Sequence, residues 1–320
     1  MHMLKRWPAS LWVFIALFIA CLIAVPRFGT VQNFVNLGRM AAILALVSIG
    51  QGVVIMVRGL DFSIGSAVAL FSVATVLCAP VLGVAPAFGI GAVAVLCLGM
   101  LNGVLISYLK LPAFLVTLGA MIGVHGLCSV LVGGVPIEAP VGIDMSGLAH
   151  AGWFGIPVPA WLAAVAFGGS YVLMEYTSFG REAHLIGSNP RAAELAGIPV
   201  PLRILQAYVL NAMLVAVAGA VLTSRLGSGQ PNLYPELPFE AIAACAIGGI
   251  PLTGGKGSPL HAVLGVCILA LFMNALVLFN FPTYLQSMLL GVLIVESVLV
   301  QHLAGRFAWR AGSAQMQTNT

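Results

Sequence analysis

Ten apolar runs, almost free of charge, follow one another through this sequence: 9–25, 40–57, 62–79, 84–107, 113–132, 157–176, 203–224, 238–252, 258–280 and 283–302. A helix that crosses a bilayer needs about 20 predominantly apolar residues. Most of the runs meet that length; 238–252 is short and leaves open whether it spans or only re-enters. Charged residues are 7% and hydrophobic residues 61% of the 320, against about 25% and 45–50% in soluble domains. Such a chain cannot coat itself in polar surface. The expected fold class is an all-α polytopic membrane protein of about ten transmembrane helices. The first run follows Lys5 and Arg6 without a small-residue cleavage site, so it is read as a span and not as a cleaved signal.

Orientation follows from the Lys and Arg residues. With both termini in the cytoplasm, the inner segments collect Lys5, Arg6, Arg58, Lys110, Arg181, Arg191, Arg203, Lys256, Arg306 and Arg310, and the outer ones only Arg27, Arg39 and Arg225. Ten against three fixes that direction and makes the 177–202 loop cytoplasmic. One membrane domain is expected over 1–306, followed by a polar tail, 307–320. There is also an internal echo. MLNGVLISYLKLPAFLVTLGAMIGV (100–124) resembles FMNALVLFNFPTYLQSMLLGVLIV (272–295), with an Asn near the start, a Pro opening the next run and an aromatic two residues on. The two copies would run in opposite directions, the trace of an inverted five-helix repeat around a translocation path.

The most polar stretch is SFGREAHLIGSNPRAAELAGIPVP, 178–201. A short helix is written into it. Asn189 suits the N-cap, Pro190 the first helical position, and Arg191, Ala192, Ala193, Glu194 and Leu195 the interior, with Gly197 as the left-handed stop. A rod of about 10 Å is unstable alone. It requires a partner surface or it is a frayed cytoplasmic loop.

Elsewhere the sequence argues by exclusion. No GxSxG, HExxH or paired-acid motif occurs. PLTGGKGS (251–258) lacks the GxxxxGK[ST] spacing of a phosphate-binding loop, so the chain is expected to bind no ATP, and no cofactor or metal is implied. The six cysteines (Cys21, Cys78, Cys97, Cys128, Cys245, Cys267) read as small buried hydrophobes. The +4 charge reflects loop orientation and not nucleic-acid binding. Ionisable residues inside runs are functional candidates. Glu296 would lie near the inner face, within reach of His302 or water; His261 lies near a loop, and His125 is expected to be neutral and satisfied by a carbonyl. An acid at mid-span, the usual mark of an ion-driven transporter, is not evident. Asn102, Thr117, Ser129, Asn211, Asn274 and Gln286 could meet a hydroxylated solute or serve only helix packing.

Four blocks together resemble one family. RGLDFSIGSAVAL (58–70), LPAFLVTLGAMIGVHGL (111–127), TSFGREAHLIGSNPRAAELAGIPV (177–200) and PFEAIAACAIGGIPLTGGKGS (238–258) are similar, in order, to blocks of the permease subunit of ribose-, xylose- and autoinducer-2-type sugar ABC importers. Ser188, Phe62, His125 and Arg58 depart from the family pattern, Arg58 most of all. The resemblance implies a permease in the bacterial inner membrane, paired with itself or a sister chain. A separate ATP-binding cassette subunit would bind the ATP, and a periplasmic sugar-binding protein would deliver the solute. It makes 189–197 the element that couples to the ATPase, with Gly180 and Arg181 fixing the approach and Gly187 and Gly197 the turns. Asn102, Phe114, Thr117, Asn274 and Gln286 become candidates for the pathway. The alternative is an ATP-independent secondary transporter or facilitator.

Overall fold

The computed structural model describes residues 8–297 and 299. The tail at 307–320, with Lys5, Arg6, His302, Arg306 and Arg310, lies outside the described residues. Helices dominate: α1 (Ala9–Ala24), α2 (Val31–Met56), α3 (Ile64–Leu82), α4 (Val84–Ser107), α5 (Ala113–Val132), α6 (Gly147–His150), α7 (Val158–Tyr176), α8 (Ser178–Ser188), α9 (Pro190–Leu195), α10 (Val200–Leu226), α11 (Leu237–Gly248) and α12 (Pro259–Leu278). A further apolar helix, α13, covers Thr283–Ser297. Seven of these, α2, α3, α4, α5, α7, α10 and α12, have the length and composition to cross a membrane, whereas α1, α11 and α13 are shorter.

Helix ends depart from the apolar runs because hydropathy does not see caps. α2 begins at Val31, nine residues before its run, where Thr30 accepts a hydrogen bond from the Asn33 N–H at 3.3 Å. Asn33, Asn36 and Arg39 therefore lie within the helix, so Arg39 belongs to a spanning element and not to a loop. α10 likewise starts before its run and takes in Arg203.

α2 is buried almost continuously from Ala42 to Val57 and packs against α10, α12, α11 and α7. Gly50 makes the α2–α10 approach possible, since a Cβ there would overlap the Asn211 side chain. Small residues at such crossings let backbones meet where no hydrophobic force drives helices together. α11 and α12 use the same device: a Cβ at Gly265 would strike the Ala244 carbonyl, and one at Gly248 the His261 carbonyl.

The molecule has two ends. At one, β1 (Ile137–Glu138) pairs antiparallel with β4 (Ser228–Gly229), a β2–β3 hairpin (Gly152–Trp153, Ile156–Pro157) precedes α7, and Ser224 Oγ donates to the Met145 carbonyl at 2.6 Å. At the other lie α8, α9, the end of α2 and the 251–258 loop. After α10 the chain runs back along α3: the Gln230 N–H donates to Ser72 Oγ at 3.1 Å, and the Tyr234 carbonyl sits against Gly65. α11 then continues toward the α8 end, where the Gly255 N–H donates to the Met56 carbonyl at 3.0 Å.

Candidate functional site

The polar stretch folds as two helices, not one. α8 buries Phe179, Gly180, Ala183, Ile186 and Gly187, a stripe at helical spacing, and exposes Arg181, Leu185 and Ser188. α9 follows after the single residue Asn189, whose Oδ1 accepts from the Ala192 N–H at 3.1 Å. Pro190 takes the first position. Gly197, at φ +80, closes the helix: its N–H donates to the Glu194 carbonyl at 3.0 Å and the Ile198 N–H to the Ala193 carbonyl at 3.1 Å. That pair of bonds is the Schellman stop. The expected cap and stop are thus found at Asn189 and Gly197, around a six-residue helix.

The faces of α9 are divided in a way the sequence did not reveal. Ala193 is buried against the body of the protein, whereas Leu195 is 85% exposed. Arg191, Ala192 and Glu194 are also exposed. The outward apolar contact is therefore Leu195, with charge beside it.

Gly187 is not a turn residue. It sits inside α8, where a Cβ would overlap both the Met56 carbonyl and the Gly255 N–H. Its side-chain-free surface seats the helix on the end of α2 and on the 251–258 loop. Gly180 acts similarly at the start of α8, against the Met174 carbonyl of α7. PLTGGKGS, which fails as a phosphate loop, is the bed on which α8 lies.

Arg58 fastens this contact. Its backbone is left-handed (φ +65), its Nε donates to the Gly187 carbonyl at 2.6 Å, and its Nη2 donates to the Ser188 carbonyl at 2.9 Å. A guanidinium at free carbonyls of a helix C-terminus satisfies them and matches the dipole. On the other side of α8, Arg203 of α10 donates to both carboxylate oxygens of Glu182, at 2.7 and 3.2 Å. The Arg203 hydrogen bond and charge hold the Glu182 carboxyl below its ordinary range.

Three residues beyond Arg58 the α2–α3 break carries a buried carboxylate that sequence reasoning passed over. Asp61 Oδ1 accepts from the Ser63 N–H at 2.9 Å and the Ser63 hydroxyl at 2.6 Å, and Oδ2 accepts from Asn211 Nδ2 at 2.9 Å. Asn102 Nδ2 donates to Ser63 Oγ at 3.0 Å. The Tyr208 hydroxyl donates to the Leu60 carbonyl at 3.2 Å, and the Thr117 hydroxyl, 2.9 Å from the Ala113 carbonyl of its own helix, also lies 3.2 Å from the Leu60 carbonyl oxygen. Phe62 meets the Phe114 ring edge-on at 5.3 Å and Phe239 at 5.7 Å. The signal was the D-x-S pair opening an apolar run, an Asx-type turn at a helix start.

Of the five pathway candidates, Asn102, Thr117 and Phe114 converge on this break, from α4 and α5. Asn274 and Gln286 do not. Asn274 exchanges two amide bonds with Asn33 of α2, at 2.9 and 3.1 Å, and Gln286 donates to the Phe281 carbonyl at 2.8 Å. Asn211 belongs to the Asp61 cluster. His125 is exposed on α5 beside an opening lined by Tyr234 and Phe239, and among the described residues no carbonyl accepts from it. Glu296 is exposed. Cys97 is exposed as well, while Cys21, Cys128 and Cys245 are buried.

Comparison with known proteins finds permease relatives over most of the chain. The family model described as branched-chain amino acid transport system / permease component matches residues 33–298. The L-arabinose transport system permease protein AraH of Escherichia coli (strain K12) is 36% identical over 297 residues, 90% of this chain and 88% of that protein. The ribose import permease protein RbsC of Bacillus subtilis (strain 168) is 38% identical over 295 residues, covering 90% and 91%. The autoinducer 2 import system permease protein LsrC of Klebsiella pneumoniae is 33% identical over 318 residues, covering 94% and 89%. No solved structure matches the chain.

Proposed function

We propose, because the chain belongs to the branched-chain amino acid transport system / permease component family, that it is the membrane-spanning subunit of an ATP-driven importer for a sugar or similar small polyhydroxylated solute. A separate ATP-binding cassette subunit binds and hydrolyses the nucleotide; this chain is not itself an enzyme and holds no cofactor. A periplasmic sugar-binding protein delivers the solute, and a second permease chain, identical or sister, completes the pathway. The chain sits in the bacterial inner membrane with both termini cytoplasmic, in keeping with the excess of Lys and Arg in the inner segments over Arg27 and Arg225 outside.

The observation that carries the reading is α9. It is a short, doubly capped rod that presents Leu195 outward, seats Ala193 on the body and follows directly on α8, which Gly187, Arg58 and the Glu182–Arg203 pair hold in place. Rigid-body coupling between two packed domains needs an element of that kind. Gly180 and Arg181 fix the entry of the segment, and Asn189, Pro190 and Gly197 its ends. Movement imposed at Leu195 reaches the body through α8, then Arg58, then the 57–63 break, where Asn102, Thr117 and Phe114 line the candidate pathway. Asn274 and Gln286 stand farther from this break and are assigned to the opposite end of the path.

Ten passes in two inverted halves, α1–α5 and α7, α10–α13, are part of the proposal. Two exchanged pairings support it: α2 packs on α12 as α10 packs on α4, and α3 packs on α4 as α11 packs on α12. The 12 residues of α11 rise only about 18 Å, and the non-helical 227–236 segment ahead of it, which runs along α3, supplies the remaining depth.

Reconstituted uptake tests the whole assignment. The chain, its ATPase and its binding protein in proteoliposomes should accumulate a radiolabelled pentose, hexose or polyol only with ATP and only with the binding protein present. Uptake by the chain alone, indifferent to ATP, would replace this reading with a facilitator.

A further inference from the structure

At the end away from α9, the helices α2, α10, α11 and α12 enclose a cavity of about 450 Å³. Its polar lining includes Arg39, Arg225, Tyr234, Glu240, the Asn33–Asn274 pair and Asn36. A second cavity of about 570 Å³, walled by polar groups of 138–146 and 224–230, also has Arg225 in its lining. Arg225 is thus common to an inner and an outer chamber.

The bonding within the inner chamber is uneven. The two asparagine amides satisfy each other, and the Tyr234 hydroxyl donates to Glu240 Oε2 at 2.8 Å. The arginines are left over. Arg39 Nε is enclosed and has no acceptor, and neither Arg39 nor Arg225 takes part in an ion pair among the described residues. Arg39 sits about 12 Å along α2 from its first residue. An enclosed guanidinium donor without an acceptor is costly in a membrane protein and marks a functional position.

We propose that this cavity binds a small hydroxylated carboxylate, a sugar acid of the aldonate or uronate class. Guanidinium groups take a carboxylate by paired N–H bonds. The free oxygen of Glu240 accepts a sugar hydroxyl, and so orients the ring or chain away from the arginines. Within this lining two arginines stand against one glutamate, one formal positive charge that a monoanion neutralises; Arg225 also faces the outer chamber, whose lining includes Glu138 and Asp144. The volume lies in the range of small-molecule sites and accommodates a six-carbon solute. A lipid phosphate offers the same oxyanion chemistry. The polar outer chamber that shares Arg225 favours a solute arriving from water. The proposal deepens the permease reading and rests on it for the solute's passage, by naming a solute class.

Titration calorimetry of the purified full-length chain in phosphatidylcholine nanodiscs, with D-gluconate and D-glucose as probes, tests it. Gluconate should bind at least tenfold more tightly than glucose. Arg39→Gln and Arg225→Gln should each weaken gluconate tenfold or more and leave glucose unchanged. Arg225 is on an exposed last turn, so Arg225→Gln carries the test if Arg39→Gln does not fold. Equal affinities, or gluconate binding unaltered in the folded variants, would overturn the proposal. Loss of gluconate binding in phosphatidylglycerol nanodiscs, with the same arginine dependence, would assign the site to a lipid headgroup and overturn the solute. The experiment uses neither ATP nor partners, so its failure leaves ATP-driven sugar uptake intact.

Discussion

Arg58 holds an unusual place at the scale of single residues. A left-handed backbone costs a non-glycine residue about 1–2 kcal/mol, and a glycine would adopt φ +65 freely. What holds arginine there is its side chain. A hydrogen bond from a charged donor contributes roughly 1.5–3 kcal/mol when sheltered. The half-buried bond to Gly187 about offsets the strain alone, and the exposed bond to Ser188 adds less. Arg58→Gly should therefore change the melting temperature of the detergent-solubilised protein by only a few degrees. It should nonetheless lower solute transported per ATP by about fivefold, because α8 would no longer be tied to α2. A variant with unchanged stoichiometry would remove Arg58 from the coupling route. In the sequence Arg58 is visible only as a departure from the family pattern, since its role depends on carbonyls 129 and 130 residues away. Asp61 escaped notice for the same reason: its partner Asn211 is distant in sequence, and the carboxylate sits in a break that hydropathy reads as the edge of a run.

The α8–α9 segment shows at the element scale which features a sequence discloses. Asn189, Pro190 and Gly197 were legible because a cap is a local bargain between a side chain and backbone groups two or three residues away. The helix α8 was not, because its buried stripe acquires meaning only against Met56, Met174 and Gly255. The same division decides which substitution reads the partner interface. Ala193→Arg would push a charge into the protein's own body and disturb the seat of α9. Leu195→Asp acts on the outward face alone. Burying a leucine contributes about 1.5–3 kcal/mol, so Leu195→Asp should weaken association with the ATPase subunit by at least tenfold, measured by surface plasmon resonance, with an unaltered melting temperature. The Glu182–Arg203 pair sets the acid limit of the segment. Its folded carboxyl titrates below the ordinary glutamate value, so its contribution is present at neutral pH. That contribution is lost as pH falls through the depressed folded value. The melting-temperature difference between wild type and Glu182→Gln should be constant from pH 6 to 8 and shrink below about pH 4, near the ordinary glutamate pKa. A difference that instead grew in acid would contradict the pairing.

The membrane class was readable at the scale of the whole molecule because it depends on composition, which no local detail can reverse. The count of crossings was less readable: α1 has 16 residues and α11 has 12, and the non-helical approach to α11 has no apolar signature. What composition could not disclose at all is how the two halves move together. The 57–63 segment joins Arg58, bound to α8, to Leu60 and Asp61, bound to Tyr208 and Asn211 of α10. If force from α9 travels through it, cutting the link at either end should have much the same consequence. Substitutions at distant sites without shared partners normally combine additively, within about 0.3–0.5 kcal/mol. Arg58→Gln and Asn211→Ala share no partner, yet both cut this one link. ATP-driven uptake measured for wild type, both single variants and the double variant should show a double loss well short of the product of the single ones, with a coupling of at least about 0.5 kcal/mol. A purely multiplicative loss would mean that α8 and α10 brace the break independently, and that motion at Leu195 enters the membrane domain by the Glu182–Arg203 contact instead.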